Sequence, residues 1–128
     1  GIREPDIYGS TSYPALLSKI DIWASENDTE VECFQSNHEG VIVDKIQEAL
    51  DDGFDGIVIN PAAYTHTSIA ILDALKAVAI PAVEVHISDI NERETFRHHS
   101  YAGMACFEHV IGKGLEGYTI ALDILKNR

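Results

Sequence analysis

Apolar positions follow a helical spacing in some segments of the chain and form short continuous runs in others. Leu16, Ile20 and Trp23 recur at helical spacing behind the capping hydroxyls of Ser10–Ser12, which predicts a helix from about residue 12 to 26. A second apolar stripe predicts an amphipathic helix that begins near Val41 and ends near Gly53. Two more helices are predicted, one capped by Thr67 or Ser68 and one over residues 115–126.

Four short runs between these helices have the composition of strands. They cover residues 31–34, 56–59, 82–86 and 102–111, and the second is apolar on both faces, as in the centre of a parallel sheet. Alternating helices and strands with short connections predict a single α/β domain. In such sheets, ligands bind beyond the carboxyl ends of the strands, so the segments to inspect are 35–40, 60–67 and 86–88.

Composition narrows the classes of function. The chain has 128 residues, 45% of them hydrophobic, and a formal net charge of −12, which excludes a phosphate-backbone binder but allows a small anion held by a local arginine cluster. No run approaches a membrane helix and the first residues lack a signal-peptide pattern, so we expect a cytoplasmic protein. Cys33 and Cys106 show no metal-ligand spacing, and we expect buried thiols in a reducing compartment.

The stretch EVHIS carries the clearest acid–base pattern. Glu84 and His86 are two apart on a predicted strand, so their side chains point to the same face. A carboxylate beside an imidazole favours the imidazolium form, which is how a general acid is commonly built. The alternative is a structural histidine beside a solvated glutamate. Ser88 has two interpretations: its hydroxyl binds the carboxylate of a ligand, or it is an ordinary turn residue.

Other polar residues fit a ligand site or an ordinary surface equally well. Asn60, held extended by the following proline, can share a pocket with His66, although both residue types are common in turns. Arg93 and Arg97 lie on one face if their segment is helical. The alternative is that they form surface ion pairs with Glu92 and Glu94.

Arg3 and Tyr8 lie five apart on a proline-containing loop. Tyr8 would act as a base only as phenolate, and bringing its pKa near neutrality requires roughly 4 kcal/mol, which guanidinium groups in a dry site can supply. A structural tyrosine is the alternative. The loop also suits a mobile lid over a substrate. Metal and nucleotide sites are disfavoured, because the His38–Glu39 and His98–His99 pairs lack HExxH spacing and no Gly-rich phosphate motif or GxSxG elbow is present.

Five motifs, in the order REPDIYG, QSNHEG, INPAAYTHTS, EVHIS and ERxxFRxxS, closely resemble the type II 3-dehydroquinate dehydratase family from residue 1 to about 123. The resemblance implies a flavodoxin-like three-layer fold with a central parallel sheet and a dodecamer built from trimers. It also implies reversible dehydration of 3-dehydroquinate to 3-dehydroshikimate in the shikimate or quinate pathway, without metal or organic cofactor. The alternative from another class is a catalytically impaired flavodoxin-like module that binds a small polyhydroxylated carboxylate.

The resemblance also implies roles for individual residues. Tyr8 matches the base and Arg3 the arginine that supports its phenolate, while His86 matches the acid that Glu84 orients. The matching substrate-binding positions are Asn60, His66, Ile87 (through its N–H), Ser88 and Arg97, with Arg93 a lesser candidate. Asp73 matches an acidic residue that reaches a neighbouring subunit's site.

One departure from the family concerns the amino terminus. The family begins with a core strand and an asparagine-containing GPNLNxLG-like loop, and this chain starts at Gly1, after the place where that segment would end. Loss of a central strand exposes unpaired backbone on both neighbours. We therefore expect either that the segment exists outside this sequence or that this is a cleaved form with impaired activity.

Overall fold

The computed structural model describes residues 13–128, so the predictions for Arg3 and Tyr8 lie outside the described residues. The four α-helices are α1 (Tyr13–Glu26), α2 (Glu39–Asp51), α3 (Ile69–Val78) and α4 (Glu116–Lys126), and the three strands are β1 (Ile57–Ile59), β2 (Ala82–His86) and β3 (Glu108–Ile111). Short 3-10 helices cover Ala62–His66, Ile90–Glu92, Thr95–His98 and Ala102–Ala105. None of the described helices is long and apolar enough to cross a membrane.

The described strands form one parallel sheet in the order β1-β2-β3. In the register of this sheet, Glu84 of β2 pairs with Ile59 of β1 on one side and with His109 of β3 on the other. All five residues of β2 are buried, because helices cover both faces of the central strand. Any polar side chain on β2 is therefore removed from water.

Two apolar clusters fill the space on either side of the sheet. Ile59 and Ala82 pack on one face against α2 and α3, chiefly through Ile46, Ile71 and Leu75. Val83, Val85 and Val110 pack on the other face against Ala121 of α4. The alternation along β2 places Glu84 and His86 on the same face as Ala82. Helices on both sides of a parallel sheet make the three-layer α/β architecture that the sequence predicts.

The helices and the strands β1 and β2 confirm the sequence-based predictions, and two predicted strands differ. Residues 31–34 form no strand, and Phe34 is 46% exposed, because no described strand lies beside the segment to complete a hydrogen-bonded ladder. The run predicted as a strand over 102–111 divides into the Ala102–Ala105 3-10 helix and β3. Gly103 lies at the point of closest approach to Glu84, so this part of the run serves packing on the sheet instead of extending it.

The region of Arg93 and Arg97 and the two cysteines also differ from expectation. The arginines fall in or beside separate short 3-10 helices, so no continuous helix places them on one face. Cys33 is exposed, which makes the prediction of two buried thiols wrong for that residue, because its segment pairs with none of the described strands. Cys106 is half-buried, and burial together with the charge of Glu84 raises its pKa to about 12, so it stays a thiol.

The amino terminus of α3 provides a test of local stability. The Ser68 hydroxyl accepts a hydrogen bond from the Ile71 N–H at 3.0 Å, and Ser68 is buried, whereas the neighbouring Thr67 is exposed. We expect Ser68→Ala to lower the free energy of unfolding by about 1 kcal/mol or more, since it leaves a buried N–H without its cap. Thr67→Ala is the matched control and should change it by less than about 0.5 kcal/mol in urea unfolding. Equal losses in the two variants would show that Ser68 is not the cap that matters.

Candidate active site

The centre of the site is the Glu84 carboxylate, which is 2% exposed in the middle of the central strand. Its Oε2 accepts a short hydrogen bond from the Ser100 hydroxyl, and its Oε1 accepts one from His109 Nδ1 at 2.8 Å. His86 Nε2 lies 2.9 Å from Oε2. One buried carboxylate is therefore contacted by one hydroxyl and two imidazoles. Such contacts offset the free-energy cost of removing the charge from water.

These contacts decide the protonation state of Glu84. Burial by itself raises the pKa of a carboxyl, but the close contact with His86 and the hydrogen bonds from Ser100 and His109 outweigh burial and lower the pKa of Glu84 to about 2. The group is consequently a carboxylate throughout the neutral range. A fixed negative charge therefore lies beside the ring of His86.

The wall of this cluster is formed by the chain that follows Ser100. The Gly103 N–H donates to the Ser100 hydroxyl oxygen at 2.9 Å, which leaves the hydroxyl proton for Glu84. A Cβ at Gly103 would stand 2.7 Å from Glu84 Oε1, so only glycine allows the backbone to approach the carboxylate this closely. This close approach to the sheet lies within the Ala102–Ala105 3-10 helix.

His86 occupies the carboxyl end of β2 and is 5% exposed. Although its Nε2 is within 2.9 Å of Glu84, the nitrogen is not aligned to donate a hydrogen bond, and no other partner satisfies it among the described residues. The interaction is therefore a close electrostatic contact in this state.

Asn60 reaches the same edge of the sheet from β1. Its Oδ1 accepts from the Ala62 N–H at 3.1 Å, and its Nδ2 donates to the Tyr118 hydroxyl at 2.8 Å. Burial raises the pKa of Tyr118, so its phenol remains neutral and can accept that bond. Both ends of the Asn60 amide are fixed, which sets the orientation of the side chain at the carboxyl end of the strand.

His66 is fixed by the segment that also carries Ser100. Its Nδ1 donates to the His99 carbonyl oxygen at 2.8 Å, and the Tyr101 N–H donates to the Thr65 carbonyl oxygen at 2.9 Å. A neutral His66 with its proton on Nδ1 presents Nε2 as an acceptor, the state suited to a hydroxyl donor.

The other predicted ligand-binding residues are only partly brought together. Ile87 and Ser88 follow β2 directly and are half-buried beside His86, with the Ile87 carbonyl accepting from the Gly114 N–H at 3.1 Å. Arg97 instead donates from Nε to Glu94 at 2.6 Å and lies over the Phe96 ring, as in the surface ion-pair alternative.

Arg93 and Asp73 are the last two of the predicted ligand-binding residues. Arg93 is half-buried, and its carbonyl oxygen lies 3.0 Å from His98 Nε2. Asp73 is exposed on α3, the helix whose buried residues pack against Ile59 and Ala82 of the sheet.

Sequence reasoning missed Ser100, His109 and Tyr118. Ser100 lies within a recognised motif, but its contact with Glu84 depends on a turn of the intervening chain. His109 meets Glu84 only through the β2–β3 register, and Tyr118 meets Asn60 across 58 residues of sequence. Local spacing carries no signal for any of these contacts.

No group of three or more metal-ligating side chains converges within residues 13–128. A cavity of about 520 Å³ lies between α1 and α4, bordered by Trp23 and Asp123. The residues that line it do not include Glu84, His86 or Asn60, so the acid–base cluster and this cavity are separate features.

Fold and cluster together define a parallel α/β protein with a buried carboxylate–imidazole pair at the carboxyl edge of its sheet. The family model "Dehydroquinase class II" matches residues 1–126, and the chain belongs to that family. It is 56% identical over 126 residues to a 3-dehydroquinate dehydratase of Caldicellulosiruptor saccharolyticus, covering 98% of this chain and 87% of that protein.

Solved structures give the same result. The type II dehydroquinase of Butyrivibrio crossotus is 54% identical, with a TM-score of 0.96, covering 98% of this chain and 87% of that chain. The type II dehydroquinase of Propionibacterium acnes is 41% identical, with a TM-score of 0.93, covering 99% of this chain and 87% of that chain. The flavodoxin-like fold predicted from the sequence motifs is thereby confirmed.

The low pKa of Glu84 predicts a specific dependence of stability on pH. Because its pKa falls from 4.5 to about 2 on folding, the carboxylate stabilises the folded state above pH 4.5, and this contribution is lost as pH falls toward 2. It amounts to at most about 3 kcal/mol. We expect the stability difference between the native chain and Glu84→Gln, measured by urea unfolding, to be largest near neutral pH and to shrink between about pH 4.5 and 2. A difference that stays constant over this range would contradict the assignment.

Proposed function

We propose that this chain catalyses the reversible dehydration of 3-dehydroquinate to 3-dehydroshikimate, as a hydro-lyase acting by anti elimination through an enolate. The observation that carries the proposal is the buried, ionised Glu84 in contact with His86 at the ligand-binding edge of the sheet, in a chain of the dehydroquinase class II family. The names of the relatives favour an enzyme over the alternative of a catalytically impaired binding module.

The first half of the reaction removes a proton from the carbon next to the ketone. Tyr8 in its phenolate form accepts this proton, and Arg3 stabilises the phenolate. The electrons of the broken C–H bond form the enolate, whose negative oxygen requires nearby hydrogen-bond donors.

The second half expels the hydroxyl group from the adjacent carbon. Collapse of the enolate breaks the C–O bond, and His86 gives its proton to the departing oxygen so that water leaves instead of hydroxide. Glu84 keeps His86 oriented and places a negative charge beside its ring. One proton is accepted by Tyr8 and one is given by His86 in each turnover, so the enzyme returns to its starting state by exchanging protons with solvent.

The remaining candidates bind the substrate. Ser88 and the Ile87 N–H lie at the carboxyl end of β2, next to His86, and hold the carboxylate. His66 accepts a hydrogen bond from a ring hydroxyl through Nε2, and Asn60 presents its amide from β1. Arg97 joins the site by leaving Glu94, its partner in a surface ion pair, and Arg93 is a secondary contact.

We further propose that residues 1–128 act as one catalytic domain in the cytoplasm and that the side chains perform the reaction without metal or organic cofactor. The proposed assembly is a dodecamer built from trimers. The exposed position of Asp73 on α3 supports the proposal of a trimer, because an exposed side chain is available to the site of a neighbouring subunit.

Turnover tests the proposed function directly. We expect the chain to convert 3-dehydroquinate, followed by the ultraviolet absorbance of the conjugated enone acid, and expect His86→Ala and Tyr8→Phe each to lower kcat by about 10²- to 10⁴-fold. Tyr13→Phe removes a hydroxyl from an exposed tyrosine of α1 and is the matched control, with kcat unchanged. Binding of substrate without any turnover would support the binding module instead, and wild-type turnover by Tyr8→Phe would remove Tyr8 as the base.

Mixed assemblies test the role of Asp73. If Asp73 serves a neighbouring site, Asp73→Ala and His86→Ala chains are each defective alone, but a refolded equal mixture contains about one quarter of sites with both native residues. We expect activity to return toward about a quarter of the wild-type value per site. If activity does not recover in a mixture that native mass spectrometry shows to contain both chains, Asp73 does not contribute to the site of a neighbouring subunit.

A further inference from the structure

The Glu84 carboxylate is held by a residue that the proposed mechanism does not use. His109 lies on β3, directly opposite Glu84 in the parallel register, and its Nδ1 is 2.8 Å from Glu84 Oε1. The oxygen it contacts is not the one beside His86, which is Oε2. The carboxylate thus lies between two imidazoles, one buried at the reaction site and one 41% exposed.

From this arrangement, we propose that His109 is a positioning residue for the reaction: it donates a hydrogen bond from Nδ1 to Glu84 Oε1 and thereby aims Oε2 at His86. The inference rests on the proposed function of Glu84 and His86. His109 does not touch the substrate, and its effect passes through the carboxylate.

The carboxylate needs this second anchor because of its geometry. Ser100 donates to Oε2, the same oxygen that His86 approaches, so without His109 a single hydrogen bond opposes rotation of the carboxylate about its last torsion. A donor on Oε1 opposes the same rotation at the other oxygen. Gly103 closes the remaining side, since its backbone approaches both Glu84 Oε1 and the Ser100 hydroxyl.

The protonation of His109 follows from the same contact. An ionised carboxylate only accepts hydrogen bonds, so Nδ1 of His109 carries a proton and, in the neutral ring, Nε2 does not. In this tautomer His109 orients Glu84 without neutralising it. The full negative charge then remains available to His86.

Three variants separate positioning from general packing. His109→Ala removes the donor, and we expect kcat to fall by about three- to a hundredfold with KM within about twofold, because the substrate-binding groups lie on other segments. His109→Asn keeps an N–H donor at a similar reach, and we expect it to recover most of the lost kcat. In a Glu84→Gln background, His109→Ala should have little further effect on kcat.

Failure of these expectations would overturn the proposal in specific ways. Wild-type kcat in His109→Ala, or the same fold loss with and without Glu84→Gln, would show that His109 does not act through Glu84. A folded His109→Asn chain as impaired as His109→Ala would show that the donor is not what matters.

A second measurement does not depend on variants or on activity. Long-range ¹H–¹⁵N spectra of the native chain, at a pH where the His109 ring is neutral, should show its proton on Nδ1, with assignment by loss of the signals in His109→Asn. A proton on Nε2 would overturn the positioning role even in a fully active enzyme. Absence of turnover with the proton on Nδ1 would instead count against the proposed function alone.

Discussion

A single buried negative charge, the carboxylate of Glu84, constrains the structure around it. A carboxylate that is 2% exposed loses its water, and this cost has to be met by donors from the protein. The donors are Ser100, from the turn before the Ala102–Ala105 3-10 helix, and His109, from β3, and His86 at the end of the same strand adds a close electrostatic contact. Contacts with this carboxylate therefore connect the central strand β2 to the segment that carries Ser100 and to the neighbouring strand β3.

The same connections place the candidate site. The segment around Ser100 also holds the 62–66 loop, because the His99 carbonyl accepts from His66 and the Tyr101 N–H donates to Thr65. Asn60 is fixed from the opposite side through Tyr118 of α4. Asn60 and His66, which are proposed to bind substrate, and His86, which is proposed to donate a proton, are consequently held around one sheet edge, and such fixed placement favours precise orientation of a reacting molecule.

Local patterns predicted the fold well where the pattern itself determines the element. The apolar stripe of α1 and the fully buried run of β2 were both predicted within one or two residues. The prediction failed at residues 31–34 because a strand is defined by a partner, and none of the described strands pairs with this segment. It failed in part at 102–111 because the approach of Gly103 to Glu84 is a tertiary contact. At the site, Glu84 and His86 were paired correctly since residues two apart on a strand share a face, whereas the roles of Arg3 and Tyr8 remain predictions.

The sequence by itself determined the layered α/β fold, through periodicities of 3.6 and 2, and the family, through five motifs in order. It also determined that Glu84 and His86 lie together. Only the tertiary structure decided what stabilises that pair, since His109 is 25 residues and Ser100 16 residues from Glu84 along the chain. Strand register and loop closure bring such residues into contact, and neither is encoded in the spacing of neighbouring residues.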